Sequence, residues 1–147
     1  MALRTVDSLH SLSGKTVLLR IDTDVDIENG HIRDDTRLKS AIPTLKLLLK
    51  KGADINIVGH LGRPEAVSSI KYPVSSINKK FSLVPVAKWF AKQLKTKNLK
   101  LKTVKVGNFE GWKITDRINL IENIRFFKGE EENPTTASGL AFARELA

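Results

Sequence analysis

Residues 16–22 read Thr16-Val17-Leu18-Leu19-Arg20-Ile21-Asp22, a run of β-branched and leucine side chains with Gly14 before it and an aspartate closing it. Such a run predicts a buried strand. The next periodic stretch is helical. Leu38, Ala41, Ile42, Leu45, Leu48 and Leu49 fall at i, i+3, i+4, i+7, i+10 and i+11, one apolar stripe that stops near Gly52. Pro43 either occupies the first turn of that helix or follows a separate turn opened by Arg37, and both options place Arg37 ahead of the main helix. Further strands are expected over 54–59, 101–106 and 118–122, and a second helix over 83–94. A last helix is expected to start near Pro134, capped by Asn133, and to run to the C-terminus. Near-continuous apolar strands alternating with helices predict an α/β fold: a Rossmann-like three-layer parallel sheet with helices on both faces. One connection fits poorly. Residues 107–117 are short for a helical crossover, which takes about a dozen residues, so at best a short helix is expected there.

The chain has 147 residues, enough for one domain with its own core. With 41% hydrophobic and 28% charged residues it belongs to neither the disordered nor the membrane class. The absence of cysteine excludes disulfides, thiolate zinc sites and cysteine nucleophiles, and His10, His31 and His60 are scattered. No signal-like or membrane-spanning apolar run is present, so a cytoplasmic protein is expected. The net charge of +9 is uneven: residues 66–109 hold ten lysines and no acid, and the remainder sums to −1. Clustered lysines can neutralise nucleic-acid phosphates. Here Lys88, Lys92 and Lys95 instead lie at helical spacing opposite Leu83, Ala87, Phe90, Ala91 and Leu94, the pattern of an ordinary amphipathic surface helix. No arginine–aromatic interleaving accompanies them, and nucleic acid is not the expected partner.

In an open α/β sheet the ligand sits beyond the carboxyl ends of the strands. The residues there are Asp22-Thr23-Asp24-Val25-Asp26 with Asp34-Asp35-Thr36-Arg37, then His60-Leu61-Gly62-Arg63-Pro64, then Asn123-Ile124-Arg125-Phe126-Phe127-Lys128-Gly129. Arg37, Arg63, Arg125 and His60 thus share one rim, and the planar fork of arginine suits phosphate or carboxylate. Taken singly, each has a plainer reading: a surface arginine in a weak ion pair, a histidine closing a strand, Asp22 capping a turn. Asp34 and Asp35 read as turn chemistry, and Gly62 as backbone access beside a ligand. No P-loop motif occurs. The aspartates open like a calcium loop, but Ile27 and Arg33 stand where its glycine and bidentate acid belong. An aspartyl-phosphate phosphatase is also considered, although Asp26 replaces that motif's small hydroxyl or β-branched residue.

These segments resemble the phosphoglycerate kinase family, in its N-terminal phosphoglycerate-binding domain. The resemblance rests on 18–22 (LLRID), 34–37 (DDTR), Pro43-Thr44, 60–64 (HLGRP), 80–87 (KFSLVPVA) and 122–131 (ENIRFFKGEE), collinear over nearly the whole chain. It implies that Asp22 bonds the substrate hydroxyl and that His60, Arg63 and Arg125 hold its phosphate. It also implies that Arg37 contacts the reacting carboxylate and steadies the phosphoryl group, as the catalytic residue. Thr23, Asp24, Leu61 and Gly62 complete the implied substrate-binding set. The implied reaction is glycolytic, 1,3-bisphosphoglycerate + ADP = 3-phosphoglycerate + ATP, so the complete enzyme is a kinase, a transferase using Mg-ATP/ADP. Phosphoryl transfer depends on positioning and charge neutralisation, which fixed arginines supply.

Three departures stand out. The family's D-F-N-V-P is here Asp22-Thr23-Asp24-Val25-Asp26, which adds charge near an anionic substrate. At about 4 Å and an effective dielectric near 20 that repulsion is roughly 4 kcal/mol, so Asp24 must be paired, with Arg37 as one candidate, or protonated, or turned away. The 107–117 connection is shorter than the family's. The chain stops at Ala147, whereas the family continues with two more strands and an ATP-binding domain. Residues 1–147 are therefore expected to be a truncated substrate-binding domain, inactive alone, without cofactor or metal residues of its own and with a strand edge open to self-association. The alternative is a non-catalytic, stand-alone anion-binding or scaffold relic of that domain.

Overall fold

The computed structural model describes residues 4–64, 79–94, 96 and 100–147. Part of the lysine-rich window, including Lys71, Lys95 and Lys97, lies outside the described residues. The elements in order are β1 (Thr16–Arg20), β2 (Ile27–Glu28), β3 (His31–Ile32), α1 (Thr36–Lys50), β4 (Asp54–Val58), α2 (Val84–Gln93), β5 (Lys102–Val106), β6 (Phe109–Lys113), β7 (Ile118–Ile121) and α3 (Ala137–Leu146). Five strands form one sheet in the order β1-β4-β7-β6-β5, and β2 pairs only with β3. Strand β4 is central to the parallel part. It pairs with β1 from Thr16↔Asp54 to Arg20↔Val58 and with β7 from Ile55↔Ile118 to Ile57↔Leu120.

Strand alternation divides the core into two layers. Ile55, Ile57, Ile118 and Leu120 point to one face, where they pack with Leu38, Leu45 and Leu48 of α1 and with Val86, Ala87 and Phe90 of α2. Val58 and Ile121 point to the other, packing with Phe109, Ile124, Phe126 and Phe127, and Phe142 of α3 closes over them. The Phe109 ring meets Phe127 and Phe142 edge-on, at 4.9 and 6.0 Å between centroids. Helices therefore cover both faces of a Rossmann-like α/β sheet. On β1 the outer face is bare, with Leu18 44% exposed. Among the described residues no helix is long and apolar enough to cross a membrane.

The sheet is mixed rather than wholly parallel. The four strands read from the sequence all run in one direction, but the segment expected to be a short helix is β6, antiparallel to both β5 and β7. Val106 pairs with Phe109 across a two-residue turn, which can join only antiparallel neighbours. Gly107 supplies the positive φ, +58°, that a type II′ hairpin needs at its first central position. Two helix starts also differ. Arg37 lies inside the first turn of α1, because burial of Leu38 and Ala41 carries the helix through Pro43 despite its missing N–H. Helix α3 begins at Ala137, not near Pro134: Thr136 caps it by accepting from the Gly139 N–H, while Asn133 closes a turn onto Thr135.

Candidate functional site

Strand β1 ends at Arg20, and the chain leaves the sheet through Ile21 and Asp22. Asp22 Oδ2 accepts from Arg37 Nη1 at 2.8 Å, and its Oδ1 accepts from the Asp24 N–H at 3.0 Å. Arg37 is placed by the start of α1, which two acids fix. Asp34 accepts from the Thr36 hydroxyl and N–H, and these bonds hold its carboxyl below the usual range. Lys39, with help from the Trp89 indole N–H, does the same for Asp35, and the bond from Trp89 ties the start of α1 to α2. These two aspartates are turn and tie residues, as their spacing suggests.

The fully buried Thr23 donates its hydroxyl to His60 O at 2.7 Å, which anchors the chain after β4 to the chain after β1. Asp24 reaches across this junction. Its Oδ1 accepts from the Gly62 N–H at 2.8 Å, and its Oδ2 stands 3.8 Å from His60 Nε2. Asp24 is therefore paired, but with Gly62 and His60 and not with Arg37. Gly62 is required by packing more than by ligand access. Its φ is +59°, and a Cβ there would stand 2.5 Å from Phe81 Cε1.

After β7, Glu122 is 1% exposed and accepts from Ser82 Oγ, the Leu83 N–H and the Asn123 N–H at 2.6, 2.7 and 2.8 Å. It thereby satisfies an otherwise orphan donor at the start of α2. Asn123 donates to Leu61 O and Phe81 O and accepts from the Arg125 N–H. Arg125 Nη1 donates to Gly62 O at 3.0 Å, and its Nε faces Glu130 at 3.5 Å and Glu131 at 3.3 Å.

Beyond the carboxyl ends of the parallel strands lies a cleft of about 320 Å³, lined by Arg20, Ile21, Asp22, Asp24, Arg37 and His60. Of the expected site residues, the structure brings Asp22, Asp24, Arg37 and His60 together there. Thr23 and Leu61 are buried beneath it, Arg63 is exposed outside it, and Arg125 turns to Gly62, Glu130 and Glu131. Arg20 was not among the expected residues. Its signal was available in the alternation of β1, which puts it on the exposed side at the strand's last position, where it meets the buried Glu130 at 3.1 Å. Asp26, the third acid of the calcium-like run, is exposed outside the cleft lining, and the Asn29–Gly30 turn of the β2–β3 hairpin follows, with φ of +51° and +77°. Among the described residues no three His, Asp or Glu side chains converge to hold a metal ion.

An open, mostly parallel α/β sheet with a polar cleft beyond the ends of its parallel strands defines a Rossmann-like fold. Residues 6–147 match the family described as phosphoglycerate kinase. The chain belongs to the phosphoglycerate kinase family. It is 42% identical to a phosphoglycerate kinase of Leifsonia xyli and 36% identical to one of Borrelia garinii, in both cases along its whole length. It spans about a third of those relatives, 35% of each. The phosphoglycerate kinase structure from Coxiella burnetii superimposes on 95% of the chain with a TM-score of 0.68 at 33% identity, using 31% of its own length. The Pyrococcus horikoshii enzyme, at 21% identity and a TM-score of 0.56, shares the fold.

Proposed function

We propose that this chain forms the 3-phosphoglycerate-binding half of a cytoplasmic phosphoglycerate kinase, catalysing 1,3-bisphosphoglycerate + ADP = 3-phosphoglycerate + ATP when joined to its nucleotide-binding half. The observation that supports it best is the Asp22–Arg37 pair at 2.8 Å, standing with His60 in one cleft at the carboxyl ends of the strands. In this reading Asp22 orients the guanidinium and accepts from the substrate hydroxyl. Arg37 neutralises the reacting carboxylate and the phosphoryl group in transfer. His60 takes the substrate phosphate in the cleft, and Arg63 and Arg125, which lie outside its lining, would join it by turning inward. In the direction written, the acyl phosphate of 1,3-bisphosphoglycerate gives its phosphoryl group to ADP and Mg-ATP would supply it in reverse, and no step assigned to the residues here passes through a metal. These residues supply the phosphoglycerate side of the reaction, and β1, an edge strand among the described residues, offers an edge for pairing with another strand.

A titration with 3-phosphoglycerate at low salt tests the reading. Saturable binding is expected, weakened about tenfold or more by Arg37→Ala, the loss of one charge-assisted contact. Arg63→Ala is expected to weaken it less. No binding by the folded chain, with or without the Asp24 charge, would remove the proposal and favour the scaffold relic, a reading supported by the cleft's matched charges: two arginines against two aspartates.

A further inference from the structure

The cleft's own carboxylates differ in what they face. Asp22 is held by the Arg37 guanidinium, whereas Asp24 has no arginine or lysine within ion-pair distance among the described residues. Its hydrogen-bond donor is the Gly62 N–H at 2.8 Å, and it faces the His60 imidazole at 3.8 Å, two groups that an anionic ligand would seek. Its side chain is still 42% exposed, so it looks into the cleft and is not sealed beneath it. We propose that Asp24 is a specificity-determining residue that acts as an internal anion: it occupies the Gly62 N–H, stands before His60 and sets a low ceiling on the affinity of the cleft for highly charged ligands. The inference rests on the proposed phosphoglycerate reading for its ligand and deepens it.

The physical argument is one of size and charge. A sphere with the volume of the cleft has a radius of about 4 Å, so any ligand in it stands well inside the screening length of about 8–10 Å from Asp24. A ligand phosphate must displace the carboxylate from its donors or lie beside it, and either route weakens binding. The penalty grows with ligand charge. A ligand with one carboxylate and hydroxyls suffers less than one that also carries a phosphate, so Asp24 narrows the gap between them and holds back the phosphorylated form.

Asp24→Asn isolates the charge, because the amide oxygen can still accept from the Gly62 N–H. The experiment titrates wild type, Asp24→Asn, Asp24→Ser and Asp24→Glu with 3-phosphoglycerate and with D-glycerate at two salt concentrations, with melting curves to confirm folding. The expected result is about tenfold tighter 3-phosphoglycerate binding by Asp24→Asn, a change of about 1.4 kcal/mol. A gain of about threefold or less is expected for D-glycerate, both gains should shrink with salt, and Asp24→Glu should show none. Asp24→Ser, which keeps an acceptor without charge, should follow Asp24→Asn. A purely structural role would move both ligands alike. Equal gains for the two ligands, or no gain while wild type binds, would overturn the inference and leave the proposed function standing. Failure of all folded variants to bind 3-phosphoglycerate would overturn both.

Discussion

At the carboxyl ends of β1, β4 and β7, Arg20, Arg37 and Arg125 are each held by a carboxylate: Glu130, Asp22, and the pair Glu130 and Glu131. At the opposite end of the sheet Arg117 is likewise held, by Asp54 at 3.0 Å, but the cations around the main hollow are lysines. Lys100, Lys102 and Lys113 line a hollow of about 440 Å³, larger than the cleft, together with Thr96, Ile114, Thr115 and a single acid, Asp116. Lys102 and Lys113 are direct cross-strand partners, and Asp116 pairs with Lys113 at 3.4 Å. The difference teaches that formal charge is a poor guide to the site in this molecule. The lysine hollow has little fixed geometry, whereas the cleft with matched charges is lined by guanidinium groups oriented by acids, which is what recognition of a planar carboxylate or a phosphate requires.

The sharpest way to break the comparison is to remove what fixes the carboxyl end. Glu122 is buried and accepts three hydrogen bonds, two of them from backbone N–H groups. Glu122→Ala strands those donors away from water, at about 1–3 kcal/mol for a buried unsatisfied group, so a loss of about 3 kcal/mol or more is expected in urea unfolding. A variant within about 1 kcal/mol of wild type would show that the carboxylate is not what organises this end.

Gly62→Ala comes next. The added methyl collides with the Phe81 ring, and an L-residue at φ +59° carries its own cost, so a loss of about 2 kcal/mol is expected in the same measurement. Gly62 is also the hinge of the polar junction, donating to Asp24 and accepting from Arg125. Destabilisation accompanied by altered chemical shifts at both residues would sharpen the comparison. A neutral substitution would mean that the Phe81 contact is loose.

These elements differ in how far they could be read from the amino acids. Period and punctuation reveal α1, β4, α2 and β7 because each buries a regular apolar face, whereas β1, read as a buried strand, is a half-buried edge strand with Leu18 exposed. The β5–β6 hairpin is hidden because residues 107–117 read as a short crossover, although Phe109 and Gly111 alternate inward within them. In the site, the shared placement of Asp22, Asp24, Arg37 and His60 follows from their positions just after the parallel strands or at the start of α1. The fate of Arg125 does not follow, because Glu130 and Glu131 must fold back to meet it, and Arg20 was overlooked since a strand's last residue reads first as part of the strand. Sequence located the rim. The choice of carboxylate for each guanidinium is a tertiary fact, and it decides which arginine faces the cleft.

The smallest expected effect comes from the amino end, and it tests whether the lysines there are as unorganised as they look. Like charges directly opposite on an antiparallel pair are destabilising, so Lys102→Glu should turn a repulsive pair with Lys113 into an attractive one and raise stability by about 0.5 kcal/mol. The gain should fade with added salt, since both groups are exposed. Because Asp116 already pairs with Lys113, part of the repulsion is relieved in the wild type, which keeps the expected gain at the low end of the range. Thermal melts of wild type, Lys102→Ala and Lys102→Glu at low and high salt separate loss of repulsion from gain of attraction. A loss of stability in Lys102→Glu would mean that Lys102 makes a favourable contact of its own, and the amino end would then be a built site rather than a loose set of cations.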